Sequence, residues 1–311
     1  TGGSKKVAAE GDGDAPSCSQ VVVPQEHLEP CSVTKLESII PSDWVGTASS
    51  AGMLTDHYTK GQEIGAGGFG MVYEVTRNAD GQRLAAKTAK KSAKKSYTKR
   101  VQEEIDTWTR VSLPLHPGIL QLIEVIDGES ELCFITEMMD GGELMPTLDK
   151  IVEFSEQACK MVVLQLASAL AHLHLRHHVA HLDLKPANIL CRSTDVMAVG
   201  CVKLCDYGFC RKFKSRVARE FVINCGTMEY FAPELVANYL SHKRRKESGD
   251  KDTVIHRYGA AVDYWSLGCI AYELLHGEPP YFSQNDDDQL ALIQAHELNF
   301  PDASFGKVSE L

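Results

Sequence analysis

The sequence predicts a two-lobed α+β fold: a small antiparallel sheet with one key helix, then a mostly helical lobe. The chain has 311 residues, enough for two cores. Short apolar runs broken by glycine turns, the signature of strands, fill much of residues 58–139. From Ser155 to His174 the spacing becomes that of an amphipathic helix, with Val162, Leu166, Ala169, Leu170 and Leu173 on one face.

Composition narrows the function classes. A hydrophobic share of 43% and a charged share of 24% are ordinary for a globular protein. The net charge of −10 argues against general nucleic-acid binding and leans toward a basic protein partner. Ten cysteines lie scattered without C-x-x-C spacing. Cys201, Cys205 and Cys210 crowd together, but no zinc-type His/Cys pattern accompanies them. Free, mostly buried thiols in a reducing compartment are expected, cytoplasmic with the nucleus as the alternative. No run approaches 18 apolar residues and no signal-peptide pattern appears, so no membrane partner is expected. With Thr1 first in place of Met, the chain reads as an excerpt of a longer product.

Residues 1–54 are rich in Gly, Ser, Ala, Pro and charge, and read as a mostly disordered leader with one short docking segment. Residues 55–139 then form the first expected lobe and 140–311 the second, incomplete at its end. From Tyr58 the pattern is strand, glycine turn, strand, and Gly65-Ala66-Gly67-Gly68-Phe69-Gly70-Met71-Val72 fits G-x-G-x-x-G-x-V. Glycines there let the backbone approach phosphates closely. A dinucleotide-binding fold is the rival, but it needs a helix opening at the glycines and an acid about 20 positions on. Here a second strand, Met71 to Thr76, follows, and a lysine stands at that distance.

The next strand ends at Arg83-Leu84-Ala85-Ala86-Lys87. Helical periodicity runs from Tyr97 to Val111, with Val101, Ile105 and Trp108 on one face and both Glu103 and Glu104 within it. The basic run from Lys90 to Arg100 reads as a solvated face, or more sharply as a docking patch. After His116-Pro117-Gly118, two strands form a hairpin turning at Asp127-Gly128, and the second leads to Met138-Met139-Asp140-Gly141-Gly142. His172, His174, His177 and His178 suggest metal, yet no H-E-x-x-H acid lies among them. Helix-end charge near the negative end of the dipole is the expectation.

The chemistry concentrates in His181-Leu182-Asp183-Leu184-Lys185-Pro186-Ala187-Asn188. Asp183 can accept a proton from a hydroxyl, Lys185 can neutralise a moving phosphoryl group, and the Asn188 amide oxygen can ligate a metal. A polar turn after a helix is the bland alternative. Short strands at Ile189-Leu190 and Val202-Lys203-Leu204 follow, then Asp206-Tyr207-Gly208. Gly226-Thr227-Met228-Glu229-Tyr230-Phe231-Ala232-Pro233-Glu234 and Asp263-Tyr264-Trp265-Ser266-Leu267-Gly268 complete the set.

Taken in order, these elements resemble those of a eukaryotic protein kinase over about residues 58–305. Lys185, two residues after Asp183, resembles the Ser/Thr type. The HLDLKPAN loop and the EMMDGGEL segment are most similar to the calcium/calmodulin-dependent group. Within it, myosin light chain and death-associated kinases likewise carry Leu beside the catalytic Asp. The resemblance implies the bilobal kinase fold, with ATP between the lobes, Mg²⁺ as metal and Ser/Thr hydroxyls of protein substrates as acceptors.

The site residues follow from the same resemblance. Gly65, Gly67 and Gly70 would cover the phosphates, with Phe69 shielding them from water. Lys87, held by Glu104 in preference to Glu103, would grip the α and β phosphates. Asp206 and Asn188 would hold Mg²⁺, Asp183 would deprotonate the hydroxyl, and Lys185 would steady the γ-phosphate, both supported by Thr227. Thr136 would be the gatekeeper, with Glu137 and Met139 facing adenine through their backbones. Ile64, Ala66, Gly68, Val72, Ala85 and Leu190 complete the implied nucleotide contacts. Glu143 aligns with an acid that contacts ribose or a substrate arginine, and reads equally as a helix N-terminal charge. Asp263 would brace the catalytic loop through backbone amides.

Four features depart from the family pattern. Leu182 stands where most kinases have the Arg that gathers an activation-loop phosphate, and Ile223 stands at the phosphothreonine position. Activity without activation-loop phosphorylation is therefore expected. Tyr207 replaces a Phe and brings a hydroxyl that needs a partner. Residues 242–248 read as a solvated loop, or as a basic regulatory site around Ser248. The chain also stops before the Arg that normally pairs with Glu234, and a calmodulin-responsive tail would lie beyond its end. A pseudokinase scaffold that still binds nucleotide is the rival function, and tyrosine specificity a weaker one.

Overall fold

The computed structural model describes residues 48–67, 70–91, 95–249, 252–306 and 308–309. Gly68, Phe69 and the leader up to residue 47 lie outside them. Strands β1 (Ala48–Ala51), β2 (Tyr58–Gly67), β3 (Gly70–Arg77), β4 (Arg83–Lys90), β5 (Leu122–Asp127) and β6 (Glu131–Glu137) form one sheet, in the order β1-β5-β6-β4-β3-β2. Every pairing is antiparallel except the parallel contact of β1 with β5. Strand β1 falls within the segment read as leader, and the one-turn helix that follows it, α1 (Leu54–His57), begins at that segment's last residue. The Ala-Ser-Ser-Ala strand has no apolar alternation, so nothing local announces a segment held by backbone pairing.

Helix α2 (Lys95–Val111) lies against this sheet through Val101, Trp108 and Val111, all under 5% exposed, with Ile105 half-buried beside them. Trp108 donates its indole N–H to the Leu120 carbonyl at 2.8 Å. Its ring lies 6.0 Å from that of Phe134 and 5.5 Å from that of Tyr207. One apolar cluster therefore runs from the sheet lobe into the helical lobe.

The second lobe opens with β7 (Gly142–Glu143) and α3 (Leu144–Leu148), and is built around α4 (Glu156–Ala171). Ser155 caps α4 by accepting the Ala158 N–H. With the turn after it, α4 spans Glu156–Arg176, long and apolar enough by composition to cross a membrane. Half of that window is buried in the protein, the mark of a core helix. Strands β8 (Val179–Ala180), β9 (Ile189–Cys191), β10 (Val202–Leu204) and β11 (Arg211–Lys212) carry the loops of the site. Helices α5 (Pro233–Ser248), α6 (Val262–His276), α7 (Asp286–Ala295) and α8 (Asp302–Phe305) follow. The eight described cysteines are free, and six of them are buried.

Two local expectations are corrected here. Residues 242–248 are not a loop but the last two turns of α5, which ends at Gly249 with φ +67°. Arg, Lys and Glu are good helix formers, and a glycine after basic residues is a helix-end signal. Of the four histidines after α4, two are buried, His177 is half-buried and His178 is exposed. His172 and His174 are buried in a π-helical turn, His172–Arg176, and His172 bonds the Val111 carbonyl at 2.9 Å. His116 stacks on His172 at 4.7 Å, and His177 contacts it from another side. Desolvation is the largest cause lowering the His116 and His177 pKa values, and His172 followed by neighbouring cations adds to it: Lys203 for His116, and Arg176 and Arg110 for His177.

A pH dependence follows. Burial lowers all three rings below the unfolded value of about 6.5. Their contribution to stability is complete above that value, because only the unfolded chain takes up protons as the pH drops below it. The loss ends once the folded values are passed, about 4 for His177 and about 3 for His116. The urea midpoint should fall between pH 6.5 and 5, more steeply in the wild type than in His177→Gln (about 6.5 being the unfolded pKa). Equal slopes would remove the histidine stack as the cause.

Candidate active site

Strand pairing builds the upper half of the site. Residues Ile64, Gly65, Ala66 and Gly67 end β2, Gly70 and Val72 begin β3, and Gly67 pairs with Gly70 across the turn. Gly70 cannot be replaced, since a Cβ there would sit 1.8 Å from the Thr88 carbonyl oxygen. Lys87 on β4 pairs with Val72, and Ala85 pairs with Thr136. Lys87 Nζ lies 3.6 Å from Glu104 Oε1, whereas Glu103 lies 3.8 Å from Lys99 on the surface. One helical step thus separates a buried carboxylate from a solvated one. Burial raises the Glu104 pKa, Lys87 opposes that shift, and the nearby Asp206 charge adds to it.

The segment from His181 to Asn188 is held by α6. Asp263, 1% exposed, accepts the His181 N–H at 2.7 Å and the Leu182 N–H at 2.8 Å. It also accepts His174 Nε2–H at 2.7 Å, a partner 89 residues away that no local pattern reveals. These bonds hold Leu182 at φ +65°, a conformation costly for a branched side chain. The strain turns the chain so that Asp183 enters the site.

Asp183, Lys185, Asn188 and Thr227 form one closed network. Thr227 donates its hydroxyl to Asp183 Oδ1 at 2.8 Å and accepts from Lys185 Nζ at 2.8 Å. Lys185 Nζ lies 3.2 Å from Asp183 Oδ2. Asn188 donates its amide to the Asp183 carbonyl at 2.8 Å and to Oδ2 at 3.0 Å. With the amide nitrogen spent on Asp183, Asn188 Oδ1 is left as an acceptor. Asp206, at φ +63°, follows the β9–β10 hairpin and accepts the Gly208 N–H. Tyr207 is 1% exposed and its hydroxyl finds the Leu204 carbonyl at 2.9 Å. Burial holds that phenol neutral, its pKa raised well above 10.

The connection between lobes is equally specified. Thr136 is buried and donates its hydroxyl to the Glu137 carbonyl at 3.1 Å. Met139 is buried too, and its carbonyl accepts the Gly142 N–H. Gly141 packs directly on the Cys191 carbonyl, where a Cβ would come within 2.6 Å. Leu190 is half-buried on β9 opposite Glu143, which is exposed and makes no side-chain cap bond to α3. Glu137, whose backbone is expected to face adenine, binds Lys203 and Arg192 through its side chain. Among the implied site residues, Gly68 and Phe69 alone lie outside the described residues.

The protein kinase domain family matches residues 58–304. A probable myosin light chain kinase of Dictyostelium discoideum is 32% identical over 262 residues, 84% of this chain and 68% of the relative. Human myosin light chain kinase family member 4 is 31% identical, over 87% of this chain and 63% of the relative. Mouse death-associated protein kinase 2 is 31% identical, over 83% and 65%. The chain thus spans about two thirds of these relatives' length. Among solved structures, the twitchin kinase region from C. elegans superposes with a TM-score of 0.70 at 28% identity. That match covers 85% of this chain and 42% of the other.

Proposed function

Because the chain belongs to the protein kinase family, we propose that it transfers the γ-phosphoryl group of ATP to Ser and Thr hydroxyls of proteins. The observation that carries this reading is the Asp183–Thr227–Lys185–Asn188 network. It sets a carboxylate, a cation and an amide oxygen around one point. The substrate oxygen attacks the γ-phosphorus, the bond to the ADP oxygen breaks, and the hydroxyl proton passes to Asp183. Lys185 balances the charge of the migrating group, and Thr227 keeps both side chains aimed. Lys87, which faces Glu104 at 3.6 Å, would hold the α and β phosphates. The backbone of residues 137–139 would meet adenine, and Ile64, Val72, Ala85 and Leu190 would offer the apolar surface around it.

The donor set suits Mg²⁺: Asn188 Oδ1 and the Asp206 carboxylate are hard oxygens, the ligand type this ion prefers. When bound, the ion supplies positive charge to the phosphate oxygens. Asn188 contributes separately by tying its amide to Asp183, so metal binding and base orientation share one side chain. Ser/Thr specificity draws its support from Lys185 and from the Ser/Thr kinases among the relatives.

Activity should need no phosphate on the activation segment. Leu182 is 3% exposed in an apolar cluster with Phe213, Phe221 and Phe231, and Ile223 packs against it. Apolar burial thus fills the place where an arginine would gather a phosphate, and does so without a modification. Phosphatase-treated protein should phosphorylate a basic Ser/Thr peptide mixture in Mg·ATP at the same rate as untreated protein. Turnover that vanishes on phosphatase treatment would overturn that expectation. A nucleotide-binding protein with no turnover, with or without calcium and calmodulin, would instead be a scaffold.

A further inference from the structure

Glu137 ends β6 and is 7% exposed, yet it carries a carboxylate. Three groups from three places grip it. Lys203 Nζ, on β10, lies 2.8 Å from Oε1, and the Gln121 N–H, just before β5, donates to the same oxygen at 3.0 Å. The Arg192 guanidinium, just after β9, pairs with Oε2. Lys203 is 6% exposed and spends a further proton on the Ile119 carbonyl at 3.3 Å.

Stability alone does not call for this cluster, since a buried ion pair is often no better than apolar groups of the same volume. What it supplies is geometry. The backbone of Glu137 is part of the connection that faces adenine, and its side chain is tied to the β9–β10 hairpin. That hairpin carries Leu190 and leads directly into Asp206. A single carboxylate therefore locks the adenine edge to the segment holding the apolar floor and the metal-side acid.

We propose that Lys203 and Arg192 are positioning residues for the adenine edge of the nucleotide site, acting through the Glu137 carboxylate. The inference rests on the kinase reading above. Losing the lock misaligns the backbone groups that bond adenine and leaves the phosphate contacts of Lys87 in place.

The test compares ATP, adenosine and inorganic tripolyphosphate binding to the full chain, together with the peptide KM. Lys203→Met keeps the volume and removes the charge. It should weaken ATP and adenosine alike, by about tenfold, the equivalent of misaligning two hydrogen bonds. Tripolyphosphate affinity and peptide KM should not change, and Lys203→Arg should recover most of the loss. Arg192→Met, at a half-exposed position, should act in the same direction by a smaller factor and guards against misfolding of the first variant. Equal loss of all three ligands, or no loss of adenosine, would overturn the proposal while leaving the kinase reading intact. Wild-type protein that binds neither ATP nor adenosine would overturn both.

Discussion

Asp183→Asn should lower kcat by about 10²- to 10⁴-fold, the range for removing a positioned general base, while leaving nucleotide affinity unchanged. The substitution keeps the shape but takes away the only carboxylate in the network. Asp183 accepts from Thr227 through Oδ1 and from Asn188 through Oδ2, and lies beside Lys185. An amide in its place turns an NH₂ toward groups that already donate, so Lys185 and Thr227 lose their common anchor as well. Adenine and the α and β phosphates are assigned to other residues, so their binding is spared. Peptide phosphorylation measured beside a nucleotide titration separates the two effects. Undiminished turnover in the variant would falsify the assignment of Asp183 as base.

Asp263→Ala should destabilise the fold by about 3–5 kcal/mol, the cost of removing one partner from a buried charged network. The carboxylate accepts two backbone N–H groups and the His174 ring, and nearly every atom involved is inaccessible to water. Its loss leaves three buried donors without an acceptor. It also releases Leu182 from its positive φ, so the turn that aims Asp183 relaxes. Turnover should therefore fall further than the lost stability explains, even at temperatures where the variant stays folded. Asp263→Asn keeps an oxygen for one N–H and should lie between wild type and alanine. Urea unfolding of the three proteins gives the order. A change of less than about 1 kcal/mol, the scale of one ordinary hydrogen bond, would mean the carboxylate is not the brace.

Much of the fold and site was legible before any coordinates. The strand–glycine–strand pattern after Tyr58, the hairpin at Asp127-Gly128 and helix α2 all appear where local spacing placed them. The bulky Trp108, one turn after Glu104, marked the inward face of α2, and the buried carboxylate is on that face. Elsewhere, local rules pointed the wrong way. Histidines at a helix end suggest charge, yet His172 and His174 are buried, and His172 packs against two other imidazole rings. The basic run before Ser248 suggested a loop, although its residues favour helix and a capping glycine follows.

The sequence by itself determined the order of elements, the residue types gathered around Asp183, and the apolar Leu182 and Ile223 where the family pattern has an arginine and a phosphothreonine. These depend on neighbours a few positions apart, where periodicity, turn chemistry and motif spacing act. Only the tertiary structure decided which charges lose their water and whom they meet. His174 reaches Asp263 across 89 residues, and Glu137 reaches Arg192 across 55. No local propensity specifies such partners, because desolvation is a property of the whole packed interior and not of a residue or its neighbours in sequence.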